Sequence, residues 1–79
     1  FPNVDLIVCN PLFHQQQTMG TDIALAMFQD AYAHLKTNGQ LWVIANRHLA
    51  YHGPLKRLFG NCENMAQHSK YVLLRCSKQ

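Results

Sequence analysis

The sequence predicts an α/β fold with the element order β-α-β-α-β-β and an antiparallel hairpin at its end. Two short apolar runs, residues 4–9 and 41–45, are typical of strands inside a parallel sheet. The segment between them repeats apolar residues at three- and four-residue spacing, which predicts a crossover helix. Two further strand-like stretches follow, and their connection is short enough only for an antiparallel pair.

The first strand is expected over Val4–Cys9, where the chain is almost continuously apolar and rich in β-branched residues. Continuous apolarity, in place of alternation, predicts that this strand is buried on both faces. The strand should end at Asn10-Pro11, because proline has no N–H to donate to the sheet.

A helix is expected next, from a cap at Thr21 to about Lys36. Asn38-Gly39 should end it with a left-handed turn before the second strand, residues 41–45. The residues expected on its apolar stripe are Ala24, Met27 or Phe28, Ala31 and Leu35.

A short second helix is expected around Pro54, which suits the first helical position, and Gly60 should end it. Its apolar face would consist of Leu55, Leu58 and Phe59. The last two strands are expected over residues 63–67 and 71–76, with a turn at residues 68–70.

The composition, 48% hydrophobic and 14% charged, is that of one ordered domain in a chain of 79 residues. No run approaches the roughly 18 apolar residues of a membrane helix, so no membrane partner is expected. A net charge of +3 permits a polyanionic partner without requiring one. Because an apolar strand begins within five residues of Phe1, we expect a piece of a longer protein.

The three cysteines, Cys9, Cys62 and Cys76, are odd in number and lack CxxC spacing. Reduced thiols in a cytoplasmic protein are therefore expected. His48 and His52 lie four residues apart, as two metal ligands on one helix would. Gly53-Pro54 follows at once, however, and no metal site is expected.

Chemistry is expected at two segments, because ligands of open parallel sheets bind beyond the carboxyl ends of the strands. Asn10-Pro11-Leu12-Phe13-His14 follows the first strand, and Asn46-Arg47-His48 follows the second.

The first segment resembles the Asn-Pro-Pro-aromatic motif of amino-group methyltransferases. An exocyclic base amine is a poor nucleophile, because its lone pair is delocalised into the ring. Two fixed acceptors, the side-chain oxygen of Asn10 and the carbonyl of Pro11, would take its two N–H bonds and turn the lone pair toward the methyl donor. Phe13 would stack on the base.

The resemblance extends over nearly the whole chain, which is similar to the small-domain family of ribosomal RNA guanine-N2 methyltransferases. Its large-subunit branch is the more similar, and its small-subunit branch is the alternative. The segments that carry the resemblance are residues 5–15, 31–35, 38–43, 45–49, 51–52, 57–62 and 71–72.

This resemblance implies that residues 1–79 form the C-terminal half of a Rossmann-like S-adenosylmethionine-dependent methyltransferase domain. The last strand would then lie between the second strand and the outer strand of the hairpin. The full enzyme would methylate the exocyclic N2 amine of guanine in ribosomal RNA, with Asn10, Pro11 and Phe13 as catalytic residues. The fragment alone is expected to be inactive.

The other implied site residues contact the RNA substrate or the cofactor. Asn10 would also touch S-adenosylmethionine, whose main binding loop is expected upstream of this chain. Leu12 stands where the family has a second proline. A leucine at this position restores a backbone N–H and loosens the turn. The residues expected to bind substrate are Leu12, His14, Asn46, Arg47 and His48.

Two other functions stay open at this point. A non-catalytic RNA-binding module could keep the fold without the reaction, and Leu12 favours it. Half of a nicotinamide dehydrogenase is less well supported, since that chemistry gives no reason for Asn-Pro-x-Phe after a strand. In either case the first strand would lack its upstream neighbour, so self-association through its free edge is expected.

Overall fold

The computed structural model describes residues 3–11 and 17–79, with the backbone alone for 17–21. Four strands and two α-helices alternate in the predicted order β-α-β-α-β-β, and a short 3-10 turn, Arg47–Leu49, precedes the second helix. The elements are β1 (Val4–Cys9), α1 (Gln17–His34), β2 (Leu35–Asn46), α2 (His52–Phe59), β3 (Glu63–His68) and β4 (Tyr71–Ser77).

The four strands form one sheet in the order β1-β2-β4-β3. β1 and β2 are parallel, with Cys9 opposite Val43. β4 is antiparallel to both β2 and β3, so the last strand of the chain lies between β2 and the outer strand of the hairpin, β3, as predicted. Because β1 and β2 run the same way, the segments that follow them emerge at one edge of the sheet.

Helix α1 begins earlier than predicted. It starts at Gln17, so Thr21 lies within the helix and is not its cap. An internal Gly20 costs a helix about 1 kcal/mol relative to alanine, which strong helix formers further along α1, such as Ala24, Leu25 and Ala26, offset. On the buried side of α1, Phe28 is 1% exposed whereas Met27 is 39% exposed, so Phe28 completes the apolar stripe.

The end of α1 also differs from the prediction, because the helix stops at His34 and Leu35 already pairs with Val4. Asn38 takes the left-handed conformation, with φ 72°. A Cβ on Gly39 would lie 2.9 Å from the Lys36 carbonyl oxygen and 3.1 Å from that of Asp5. The asparagine therefore makes the turn, and the glycine allows two backbones to approach.

Both helices pack on one face of the sheet and form a single core with it. Phe28 of α1 belongs to this core together with Leu35, Leu41 and Val43 of β2, all at most 1% exposed. From the other side, α2 contributes Leu55 and Phe59, on the apolar face that the sequence predicts.

The opposite face of the sheet is open, and this corrects the prediction that β1 is buried on both sides. Leu6 and Val8 are 56% and 62% exposed, because no helix among the described residues covers them. On the same face, the Arg75 guanidinium lies 5.9 Å from the Trp42 ring centroid and pairs with Glu63. Trp42 is half-buried there.

The second half of the chain follows the predicted pattern closely. Helix α2 starts at His52, so Pro54 is its third residue, still within the first turn where no N–H is needed. Gly60 ends α2 with φ 84°. Ser69, with φ 55°, and Lys70 form the tight turn of the hairpin.

Candidate functional site

The end of β1 presents the first candidate segment. Asn10 is exposed directly after the strand, while Pro11 is buried. Asn10 also borders a largely apolar cavity of about 460 Å³ between β1 and α1. An exposed carboxamide beside an anchored proline at the carboxyl edge of a parallel strand is a suitable acceptor for a ligand N–H. Leu12, Phe13 and His14 lie outside the described residues.

The end of β2 presents the second candidate segment, held by two hydrogen bonds. The Asn46 side-chain oxygen accepts from the backbone N–H of His48 at 2.9 Å and caps the 3-10 turn. The backbone N–H of Arg47 donates to the Lys70 carbonyl at 2.7 Å. The first bond sets the turn that carries Arg47, and the second ties it to the hairpin.

A second cavity, of about 260 Å³, opens beside Asn46 and Arg47. Its floor is apolar, from Ala45, Val72 and Leu74, and its walls are polar. The polar residues that sequence reasoning did not select are Tyr51, His52, Asn64 and Gln67. No single motif identifies all four, because Tyr51 and His52 stand at the start of α2 and Asn64 and Gln67 in β3, two elements that only the folded chain brings together.

The structure thus places the two candidate segments at one edge of the sheet but in different cavities. Asn10 lines the first cavity and Asn46 lines the second, and the described residues of the two linings do not overlap. His48 lines neither of them. Its backbone serves the turn instead, through the bond to Asn46.

Tyr51 connects the second cavity to the core. It is 3% exposed, and its ring meets Phe28 edge-on at 5.1 Å between centroids. Its buried hydroxyl has no hydrogen-bond partner among the described residues. Burial raises the pKa of the Tyr51 hydroxyl, and the charge that Cys9 would carry raises it further. The hydroxyl therefore stays protonated at neutral pH.

The three thiols are free, and Cys9 and Cys76 are buried. Burial raises the pKa of Cys9, and the pKa of Cys76 is raised by burial and by the neighbouring Cys62. Protonated, buried thiols are unreactive. Among the described residues, no three His, Cys, Asp or Glu side chains are grouped to hold a metal.

The basic residues are divided between different parts of the surface. Lys70 is joined to Arg47 through the backbone, at the carboxyl edge. Lys56 and Arg57 lie in the last turn of α2, and Arg75 is engaged on the open face. Of the described segments, neither helix combines the length and apolarity that crossing a membrane takes.

The model of the methyltransferase small domain matches residues 2–75 of the chain. Two curated relatives are both named ribosomal RNA large subunit methyltransferase G, the branch that the sequence motifs favour. The one from Ectopseudomonas mendocina is 51% identical over 76 residues, and the one from Stutzerimonas stutzeri is 53% identical over 76 residues. Each alignment covers 96% of this chain and 20% of the relative, so the chain spans about a fifth of their length.

A solved structure is similar as well. It is the 16S rRNA N2 G1207 methyltransferase RsmC of T. thermophilus, in complex with AdoMet and guanosine. It aligns with 99% of this chain and 21% of its own chain, at a TM-score of 0.84 and 30% identity. The four-stranded sheet and its two helices therefore occur, in the same arrangement, within a known RNA-modifying enzyme.

Proposed function

The chain belongs to the methyltransferase small-domain family, and we propose that residues 1–79 form the C-terminal half of one methyltransferase domain in a longer protein. Its fold is the Rossmann-like α/β fold of the aligned rRNA methyltransferase. We propose that the full-length protein transfers a methyl group from S-adenosylmethionine to the exocyclic N2 amine of guanine in ribosomal RNA. The names of the relatives support the rRNA substrate, and the aligned N2 methyltransferase supports the guanine amine.

One observation in this chain carries the proposal most directly: Asn10, exposed, and Pro11, buried, follow a parallel strand at the edge where ligands bind. The Asn10 oxygen and the Pro11 carbonyl would each accept one N–H of the guanine amine. That arrangement orients the nitrogen lone pair and stabilises the positive charge that develops on nitrogen. Phe13 would stack on the base and hold it outside the RNA helix.

The surroundings of Asn10 suit a bound S-adenosylmethionine, because the exposed carboxamide of Asn10 borders an apolar cavity. The cofactor supplies an electrophilic methyl group on a sulfonium. Asn10 is the one residue of this chain that we assign to it, since no glycine here belongs to a GxGxxG-like cluster after a strand. The isolated chain is therefore expected to bind the cofactor weakly and to be inactive.

We propose that the remaining candidate residues contact RNA around the target base. Leu12 and His14 belong to the segment that follows Asn10-Pro11, and Asn46, Arg47 and His48 follow β2. A cytoplasmic location is proposed with this function, because reduced thiols and an rRNA substrate both suit it.

Methyl transfer by the full-length protein tests the proposal. Asn10→Ala removes one of two preorganised acceptors, and such a loss costs about 2.7–4 kcal/mol in the barrier. We expect kcat on guanine-containing rRNA to fall by about 10²–10³-fold, with the melting temperature unchanged. Asn3→Ala, an exposed position before β1, is the matched control and should keep wild-type kcat. Unchanged kcat in a folded Asn10→Ala protein would contradict the mechanism, and RNA binding without methyl transfer by the wild type would favour the non-catalytic module.

A further inference from the structure

A bulge in β3 places two carboxamides on the same face of the sheet. Asn64 pairs with Leu74 and Gln67 pairs with Val72, with a shift in register between Asn64 and Ala66. In a regular strand, residues three apart point to opposite faces. The extra residue, Met65, reverses that alternation, so Asn64 and Gln67 both lie over the apolar floor of the second cavity.

The two carboxamides are joined, and each keeps hydrogen-bonding capacity. The Asn64 Nδ2 donates to the Gln67 Oε1 at 2.9 Å. Asn64 Oδ1, an acceptor, and Gln67 Nε2, a donor, have no partner among the described residues. Both side chains are exposed. An acceptor and a donor in neighbouring, mutually fixed amides match the edge of a nucleobase, which offers a donor beside an acceptor.

The rest of the cavity suits one flat group that belongs to a larger ligand. Its volume, about 260 Å³, is below the roughly 300–1,000 Å³ of sites that enclose a whole drug-sized molecule. Its floor of Ala45, Val72 and Leu74 offers carbon atoms to a ring face. Arg47 lines the cavity and is exposed, so its guanidinium is available for the phosphates of a chain that passes over it, and its backbone N–H bonds to the carbonyl of a second exposed cation, Lys70.

The position of the cavity relates it to the target-base segment. The cavity lies over β2, β4 and β3, while Asn10 follows β1, the next strand in the sheet. Strands are spaced about 4.8 Å apart, so one to three strand intervals, about 5–15 Å, separate the two places. A single strand of RNA can bridge that distance while one of its bases is held at each end.

We propose that this cavity is a second nucleotide subsite, which receives an unpaired base that neighbours the target guanine and binds its edge through Asn64 and Gln67. The inference rests on the proposed function, because it takes RNA as the substrate. Sequence-specific RNA recognition depends on unstacked bases that are bound by their edges, and this subsite would supply that recognition beside a motif that holds only the target.

Binding of short RNA by the full-length protein tests the subsite. The probes are fluorescent single-stranded RNA pentamers with one central guanosine and four uridines, each intact or with one abasic position. Gln67→Met keeps the size of the side chain and removes its donor. We expect the Kd of the intact pentamer to rise about tenfold in Gln67→Met and in Asn64→Leu. The abasic probe that lacks the base held by the subsite should bind the wild type and both variants with the same Kd.

Gln29→Met is the matched control, since Gln29 is exposed on α1 outside this cavity. It should bind every probe as the wild type does. An equal loss of affinity on all probes, no loss on any, or no binding of the pentamers by the wild type would each overturn the subsite.

Steady-state methylation of the pentamer separates the subsite from the proposed function. Gln67→Met should raise the KM for RNA and leave kcat nearly unchanged, whereas Asn10→Ala should lower kcat. The abasic pattern is the expected result that one abasic probe binds the wild type and both subsite variants equally while the intact pentamer does not. If Asn10→Ala keeps the wild-type kcat and the abasic pattern is present, the proposed reaction fails and the subsite stands as an RNA-binding site. If Asn10→Ala abolishes turnover and the abasic pattern is absent, only the subsite fails.

Discussion

The side-chain oxygen of Asn46 accepts a hydrogen bond from the backbone N–H of His48 at 2.9 Å, so the last residue of β2 caps the turn that carries Arg47. The Asn46 Nδ2 is not part of this bond. One side chain therefore combines a structural role with a place in the lining of the second cavity.

Asn46→Ala and Asn46→Ser separate these two roles. Alanine removes the cap and should lower the free energy of unfolding by about 1 kcal/mol, whereas serine, also a good cap, should lower it by less than half of that. Chemical denaturation of the full-length protein measures the difference. Both variants lack Nδ2, so an equal loss of RNA affinity would assign Asn46 to the RNA contact. A loss in Asn46→Ala alone would show that it acts through the turn.

Tyr51→Phe tests the buried hydroxyl. Because this hydroxyl has no partner among the described residues, its removal should leave the free energy of unfolding unchanged or raise it by up to about 1 kcal/mol. Tyr51→Ala should instead lower the free energy of unfolding by about 3–5 kcal/mol, since the ring packs on Phe28. Thermal unfolding compares the two variants. A drop of more than 1 kcal/mol in Tyr51→Phe would mean that the hydroxyl is hydrogen-bonded in solution.

Phe13 is predicted to stack on the target base. Phe13→Ala should raise the KM for RNA about 5- to 160-fold, because stacking on a base contributes roughly 1–3 kcal/mol, and it should leave the Kd for S-adenosylmethionine unchanged. Phe13→Tyr keeps the flat ring and should retain wild-type KM. If both variants lowered the melting temperature and left the kinetics alone, Phe13 would be a core residue.

The isolated 79-residue chain is predicted to associate through β1. In the described sheet β1 pairs only with β2, and its charged residue Asp5 faces Lys36 at 3.9 Å. Val8→Lys puts a charge on this edge strand, where the side chain is 62% exposed, and should shift the chain toward monomer in light scattering. Ile44→Lys, on β2 and also on the open face, is the control. An equal effect of both would assign association to the apolar face, and a monomeric wild type would contradict the prediction.

The sequence predicted most of the fold because its signals are local. The apolar run gave the bounds of β1 as Val4–Cys9, and Gly60 marked the end of α2 through its left-handed conformation. The predicted start of α1 was wrong. Gly20-Thr21 is typical of a helix start, but here it lies inside a longer helix that begins at Gln17. The choice between Met27 and Phe28 depended on how α1 is rotated against the sheet, which packing decides.

The candidate site was predictable where it is a motif. Asn10-Pro11 after a strand carries its own chemistry, and the two strand ends share an edge in any parallel pair. The burial of Leu6 and Val8 was not predictable in the same way. Their apolar side chains indicate that another element could pack on them, but whether they are exposed depends on which other elements are present.

By itself, then, the sequence determined the element order, the parallel and antiparallel pairings and the target-base motif, because each follows from neighbouring residues. Only the tertiary structure decided the second cavity. Its walls come from the end of β2, the start of α2 and β3, and a one-residue bulge turns Asn64 to the side of Gln67. Strand periodicity alone puts those two side chains on opposite faces, and the register that overrides it is fixed by pairing with Leu74 and Val72 of another strand.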